Sequence, residues 1–125
     1  MTEQEIKDRA RKAALRIIRL VESLPRTRSA EVIGKQLLRS GTSIGANYSA
    51  ACRAKSTADL LHKLAIVEDE ADESLYWMEL LIDDRIVDEK KLLPLLSEVN
   101  EIVAMTVASI RTLRKSKFQN LRSKI

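Results

Sequence analysis

The sequence is poor in the residues that build catalytic and metal sites. It has one cysteine, Cys52, and one histidine, His62. A single cysteine forms no disulfide within one chain and no cysteine-based zinc site, so Cys52, set among alanines, is expected to be a small packed residue. A single histidine cannot complete a di-metal carboxylate bundle, for which Asp59 and His62 give only one partial match. We therefore expect no catalytic residues, no metal, no cofactor and no enzymatic activity.

Long apolar runs are also missing. No stretch of about eighteen apolar residues occurs, and the start, MTEQEIKDRARKAAL, alternates charge with alanine where a signal peptide would be uniformly apolar. We therefore expect a cytoplasmic protein without membrane contact. With 125 residues, of which 45% are hydrophobic, the chain has enough apolar material for the core of one domain.

Charge is unevenly distributed along the chain, although the formal net charge is only +4. Residues 1–56 carry twelve basic and five acidic residues, whereas residues 57–84 carry one basic and nine acidic residues. Residues 111–125 carry six basic residues and no acidic one. Such segregation favours contacts between acidic and basic surfaces, within a chain or between subunits, and also offers a surface for a polyanion.

Apolar residues recur at steps of three and four in four long segments, which is the period of one face of an α-helix. In the third segment they are Leu60, Leu64, Val67, Ala71, Leu75, Met78 and Ile82. Pro25 ends the first segment, and Ser56 or Thr57 is the expected N-cap of the third. The fourth is expected to begin at Asp88 or several residues later, because Pro94 is tolerated only near a helix start.

Four such helices joined by short turns predict an all-α protein, an antiparallel up-down-up-down four-helix bundle. We expect residues 1–125 to form this single domain, with a basic C-terminal tail at about residues 116–125.

The segment RSGTSIGANYSA, from Arg39 to Ala50, has the composition of a loop but keeps helical spacing. Its apolar residues continue the period of the preceding turns: Ile33, Leu37, Ile44 and Tyr48. A phosphate loop of the Walker type needs a lysine followed by Ser or Thr after its last glycine, whereas Ala46 follows Gly45 here. The segment is therefore predicted to be helical.

Small residues on this second helix are predicted to face a closely packed neighbour. Each glycine weakens a helix interior by about 0.5–1 kcal/mol relative to alanine, and close packing would offset that loss. The residues expected to have this packing role are Gly34, Ser40, Gly41, Ser43 and Gly45. Asn47 is expected to be semi-buried and to fix the register of the helix through hydrogen bonds.

Residues 30–85 contain a pattern that points to a known family. The pattern consists of the run Arg39–Asn47 followed by Arg53, Ser56, Lys63, Leu64, Glu70, Ala71, Glu73, Tyr76, Trp77 and Leu80. It resembles the small four-helix bundle proteins first known as reading frames inside intervening sequences of bacterial 23S rRNA genes. The resemblance implies a bundle that assembles into rings, typically homopentamers.

The same resemblance extends to the accessory variability proteins of diversity-generating retroelements. In that branch a basic ring binds nucleic acid and a reverse transcriptase. The present chain departs from the ribosomal branch after Asn47, where it reads Tyr-Ser-Ala-Ala in place of the usual Ile-Ala-Glu-Gly. This departure is expected of a divergent subgroup.

Nucleic-acid binding by an oligomeric bundle, with RNA as the expected ligand, is the first functional hypothesis. Two basic clusters favour it, one on the first helix and one near the C-terminus: Arg9, Lys12, Arg16 and Arg19, then Arg111, Arg114, Lys115 and Arg122. Repeated around a ring, these clusters would multiply a weak attraction to phosphate. Because the chain has only four aromatic residues, base stacking is not expected to dominate.

The second hypothesis is a self-assembling scaffold or adaptor that touches no nucleic acid. The basic stripe of the first helix would then dock against the acidic face of the third, in the same or a neighbouring subunit. That face comes from the run VEDEADE, in which Val67 and Ala71 are expected to point inward. The residues leave both hypotheses open, and the resemblance favours the first.

Overall fold

The computed structural model describes residues 1–123, which form four α-helices. These are α1 (Glu3–Glu22), α2 (Arg28–Ala51), α3 (Thr57–Asp83) and α4 (Glu89–Ser123). α2 packs against α1 and α3, and α4 packs against α3 and α1. The predicted all-α four-helix bundle is confirmed. Residues 124 and 125, the end of the predicted tail, lie outside the described residues.

Each of the first three helices begins after a polar N-cap residue, at the point where the helical spacing of apolar residues starts. Thr2 caps α1 and forms a capping box with Glu5, while Thr27 caps α2. Ser56, one of the two predicted candidates, caps α3 by accepting a hydrogen bond from the Asp59 N–H. Each cap satisfies a backbone donor that the first helical turn leaves without a partner.

The turn from α3 to α4 reverses the chain through one left-handed residue. Arg85 has a φ of 60°. The N–H of Ile86 donates to the Leu81 carbonyl and the N–H of Arg85 to the Ile82 carbonyl, both at 2.9 Å. This pair of bonds is the Schellman arrangement, in which glycine is the usual left-handed residue.

The core lies between all four helices and is almost wholly aliphatic. Its fully buried large side chains are Ile17, Leu37, Ile44, Val67, Met78, Leu81, Leu92, Val99 and Ile102. On α3 the buried face differs from the prediction, because Ser74 and Leu81 are fully buried while Leu75 and Ile82 are only half-buried. The difference follows from the position of α3 between α2 and α4, which widens its buried face beyond a single stripe.

α4 begins at Glu89, within the predicted interval, but it continues well past the predicted end of its apolar period at Leu113. We call residues 111–123 the α4 extension, and within it only Leu113 is partly buried. The predicted C-terminal tail is therefore helical as far as Ser123. By length and composition α4 could cross a membrane, yet its apolar side chains at Val99 and Ile102 pack into the core.

Candidate nucleic-acid interface

The three glycines of α2 face α1. A Cβ at position 41 would lie 2.5 Å from Cδ1 and 3.0 Å from Cγ2 of Ile17, whereas a Cβ at position 45 would lie 3.5 Å from Cβ of Ala10. A Cβ at position 34 would lie 3.0 Å from Cδ1 of Leu24, a residue of the turn that follows α1. The space for an added side chain is therefore smallest at Gly41, where Ile17 of α1 fills it.

Two polar residues of α2, Ser40 and Asn47, make hydrogen bonds that differ in their partners. Ser40 is fully buried against α3, where Ser74 Oγ donates to Ser40 Oγ at 2.8 Å. Asn47 is semi-buried, but its side-chain amide donates to the Ser43 carbonyl at 2.8 Å, within α2 itself. Of these two residues, Ser40 makes a hydrogen bond to another helix, whereas the one found for Asn47 stays within α2.

A polar seam between α2 and α3 continues outward from Ser40. The Arg39 guanidinium pairs with the carboxylates of Glu70 and Glu73, and the Trp77 Nε1–H donates to Glu73 at 3.0 Å. The Trp77 hydrogen bond, assisted by Arg39, lowers the pKa of Glu73 from its usual value. Since Arg39, Ser40, Glu70, Glu73 and Trp77 all belong to the family-like pattern, that part of the pattern joins two helices.

The basic cluster of α1 is partly occupied by an ion pair. Arg9 binds Glu98 of α4 through two hydrogen bonds, Nε to Oε2 at 2.9 Å and Nη2 to Oε1 at 2.5 Å. This bond to Arg9 lowers the pKa of Glu98. Lys12, Arg16 and Arg19 remain exposed. Arg9 is therefore a helix-joining residue, and three bases of the cluster face solvent.

The α4 extension carries the second basic cluster away from the bundle. Thr57, the first residue of α3, shares a groove with Lys117 and Leu121, so the α2–α3 turn lies at the end from which α4 projects. We call the exposed bases gathered here the basic end: Arg53, Lys55, Arg111, Arg114, Lys115, Lys117 and Arg122. Residues 111–123 contain no acidic residue.

Three members of the basic end were missed at the level of sequence: Arg53, Lys55 and Lys117. Arg53 and Lys55 belong to a short turn, where a base is usually only a solvated loop residue. Their placement beside α4 depends on how far α4 extends past the turn, and the apolar period does not report this. Lys117 lies in the C-terminal segment that has six basic residues and no acidic one, so a count of bases alone would have included it.

A cavity of about 430 Å³ opens among all four helices at the same end of the bundle. Its lining is mainly apolar and includes Ile6, Leu64 and Leu113, together with Tyr48 and Cys52. Burial raises the pKa of Tyr48 to about 12 and also raises that of Cys52. Both groups are therefore protonated near neutral pH, and the Cys52 thiol lacks the thiolate character that nucleophilic catalysis requires.

His62 and its neighbours show no ligand geometry for a metal. His62 is exposed, while the Asp59 carboxylate accepts hydrogen bonds from Lys63 Nζ at 3.0 Å and from the Lys55 N–H at 3.1 Å. Across residues 1–123, no group of three or more His, Cys, Asp or Glu side chains is placed to hold an ion.

The acidic face of α3 cannot neutralise α1 inside one chain. In the described part of the chain α1 contacts α2 and α4 only, and α3 contacts α2 and α4 only. The two helices are therefore diagonal in the bundle. The same-subunit form of the scaffold hypothesis is wrong, and its form between subunits stays open.

Comparison with known proteins identifies the family. Residues 2–108 match the model of the 23S rRNA-intervening sequence protein family. The chain belongs to this family. A crystal structure of a protein of unknown function from the S23 ribosomal protein family of Bacteroides thetaiotaomicron VPI-5482 is similar, with a TM-score of 0.82 and 37% sequence identity. The similarity covers 89% of the present chain and 99% of that protein. No curated protein matches the chain.

The family match ends shortly before the α4 extension. It covers the seam between α2 and α3 and the glycines that face α1, but residues 109–125 lie beyond it. All five bases of the α4 extension lie outside the match, and they are five of the seven bases at the basic end. Membership of the 23S rRNA-intervening sequence protein family therefore accounts for the bundle and leaves the extension to be explained by its own chemistry.

Proposed function

We propose that this protein is a non-enzymatic, oligomeric four-helix bundle that binds nucleic acid, with RNA as the expected ligand, through its basic end. The observation that carries the proposal is the α4 extension, a helix that leaves the bundle with five bases and no acid. The extension is exposed on almost all sides, so phosphates can reach its bases without displacing protein contacts. Clustered lysines and arginines bind a polyanion by releasing its condensed counterions.

Binding at the basic end would read charge and shape in preference to base sequence. Phe118 is the one aromatic residue of the extension, 60% exposed, and the Arg122 guanidinium lies 5.8 Å from its ring centroid. One such platform can stack a single base, whereas the remaining contacts are to phosphate. We therefore expect little sequence preference and a steep loss of affinity with salt.

The exposed bases of α1 provide a weaker second surface. Lys12, Arg16 and Arg19 face solvent, but Arg9 is held by Glu98. Assembly into a ring, with a pentamer expected from the family resemblance, would repeat this α1 surface and raise the avidity for a long nucleic acid. The same resemblance supports a role as an accessory in an RNA- or reverse-transcriptase-containing complex.

The alternative function is a scaffold or adaptor without nucleic-acid contact. Two observations favour it: Arg9 and Arg39 are both taken up by acidic residues of the chain, and α3 presents further exposed carboxylates. Under this alternative the basic end would serve only protein contacts, and the native protein would not bind nucleic acid.

A charge-removal experiment separates the two functions. Nuclease-treated protein is titrated against a fluorescent RNA hairpin and a DNA duplex of equal length, with anisotropy as the readout. Arg114→Gln, Lys115→Gln and Arg122→Gln together should weaken binding by about tenfold or more at low salt. The matched control removes three exposed bases at the opposite end of the bundle: Arg26→Gln, Arg28→Gln and Lys90→Gln. Equal losses in both variants, or no binding by the native protein, would contradict the proposal.

A further inference from the structure

An exposed acidic stripe runs along the outer face of α3. Its members follow steps of three, four, three and four: Asp69, Asp72, Tyr76, Glu79 and Asp83. Tyr76 lies in the middle with 55% of its surface exposed. Within residues 1–123, none of the four carboxylates makes a hydrogen bond or ion pair, in contrast to Glu70 and Glu73 of the seam. These four carboxylates are therefore available to pair with basic side chains of another molecule.

The α4 extension carries a stripe of matching form and opposite sign. Arg111, Lys115, Phe118 and Arg122 follow steps of four, three and four, so they share one helix face. Phe118 stands between the bases much as Tyr76 stands between the acids, and both rings are more than half exposed. Two helices with this spacing can lie side by side, with the aromatic rings in contact and charges of opposite sign on either side.

The two stripes cannot meet within one chain. α3 begins at Thr57, beside the α4 extension. Tyr76, at the centre of the acidic stripe, is nineteen residues further along α3, about 28 Å at 1.5 Å per residue, whereas Phe118 follows Lys117 of the groove that Thr57 lines. The extension runs in the opposite direction, out of the bundle. Contact between the stripes therefore requires two molecules.

We propose that the acidic stripe of α3 is the docking site for the α4 extension of a second copy of this chain. The inference rests on the oligomeric part of the proposed function. Charge complementarity, the shared spacing and the paired aromatic residues select a second copy as the occupant. Since a different surface is used on each copy, the contact is heterologous and propagates into a ring or an open filament.

Docking and nucleic-acid binding draw on the same bases. When the extension of one copy docks on the acidic stripe of another, its bases Arg111, Lys115 and Arg122 are no longer accessible to phosphate. A polyanion therefore competes with the acidic stripe for the extension. Surface ion pairs are individually weak and salt-sensitive, and the desolvated rings of Tyr76 and Phe118 supply the apolar part of the contact. Self-association should therefore weaken with salt and with added RNA.

The test measures self-association of nuclease-treated protein by sedimentation velocity over a concentration series. Asp72→Lys with Glu79→Lys, and separately Lys115→Glu with Arg122→Glu, should each raise the dissociation constant for self-association about tenfold or more. A chain that carries all four substitutions should regain association, and an equimolar mixture of the two variants should form a mixed complex. Circular dichroism confirms that each variant is folded.

Matched controls reverse exposed charges away from both stripes. Glu22→Lys with Glu31→Lys, and Lys35→Glu with Lys90→Glu, should leave self-association within about twofold, because long-range charge effects are screened. A monomeric native protein, unchanged association in the acidic-stripe variant, or no recovery of association in the four-substitution chain would each overturn the inference.

RNA binding measured on the same variants distinguishes failure of this inference from failure of the proposed function. The acidic-stripe variant should keep or strengthen RNA binding, while the extension variant should lose it. If association is unchanged but the extension variant still loses RNA binding, the docking inference fails and the proposed function stands. If association behaves as expected but RNA binding is the same in both variants, the proposed function fails.

Discussion

Ser74 Oγ on α3 lies 2.8 Å from Ser40 Oγ on α2, at a point where neither residue is exposed to solvent. The two hydroxyls also reach carbonyls of their own helices, Ser74 to Glu70 at 2.9 Å and Ser40 to Leu37 at 3.3 Å. This small network satisfies two polar groups inside an aliphatic core. It also fixes how far α2 is shifted along α3, and with it the position of the turn that carries Arg53.

Removing either hydroxyl should destabilise the bundle, and removing both should cost less than the sum. Ser40→Ala and Ser74→Ala each lose the shared hydrogen bond, at about 1 kcal/mol, while the remaining hydroxyl keeps its own carbonyl partner. The double variant loses the shared bond only once. A double-mutant cycle of urea unfolding measures the coupling, and strictly additive free energies would contradict the link between the two helices.

Alanine should have opposite effects at two glycines of α2. At position 41 its Cβ would meet the buried Ile17, whose branched side chain has little freedom to move, so Gly41→Ala should destabilise by about 1–3 kcal/mol. At position 45 the nearest atom, Cβ of Ala10, is at an ordinary 3.5 Å, so Gly45→Ala should be neutral or stabilising by up to about 1 kcal/mol. Thermal unfolding of both variants provides the comparison, and a tolerated Gly41→Ala would contradict the close approach of α1.

Acid should weaken the contact between α1 and α4. The hydrogen bonds from Arg9 lower the pKa of Glu98 in the folded state, so the pair stabilises the fold fully above the unfolded pKa of glutamate, about 4.3, and loses this contribution as pH falls through the folded pKa. Glu98→Gln should therefore cost about 1 kcal/mol at pH 7 and progressively less below pH 4. The control is Glu101→Gln, an exposed position on the same helix. A difference that does not change with pH would argue against the ion pair.

Glycine at position 85 should stabilise the α3–α4 turn. Arg85 adopts a left-handed backbone conformation with φ 60°, which strains a residue that has a Cβ. Arg85→Gly should raise the free energy of unfolding by about 1 kcal/mol, whereas Arg85→Ala, which keeps the Cβ, should not. Chemical denaturation of both variants measures this, and equal effects would place the cause in the lost guanidinium instead of the backbone.

Much of the fold could be predicted because burial imposes a period on the sequence. The four helices and the helical state of the Gly41–Gly45 segment follow from that period, and the start of the period on α3 left Ser56 and Thr57 as the two N-cap candidates. It could not separate Ser40 from Gly41, which are adjacent on α2 and turn toward different helices, α3 and α1. Which neighbouring helix each position faces depends on how the helices pack, and the period of apolar residues does not contain that information.

The candidate nucleic-acid interface was harder to predict from the sequence, for two physical reasons. Arg9 has the same sequence spacing as its basic neighbours on α1, and only its contact with Glu98, 89 positions away, removes it from the exposed set. The α4 extension buries almost nothing, so no apolar period marks it as a helix, although its arginine, lysine and leucine residues are good helix formers. The period of apolar residues predicts neither contacts between residues distant in sequence nor helices that have no buried face.

The salt dependence of RNA binding by nuclease-treated native protein is the most direct test of the central claim. The account predicts a linear fall of log affinity with log salt concentration between about 50 and 200 mM, and a slope that becomes shallower by about two to three units when Arg114, Lys115 and Arg122 are replaced by glutamine. Affinity that is insensitive to salt, or a slope that these three replacements leave unchanged, would contradict it.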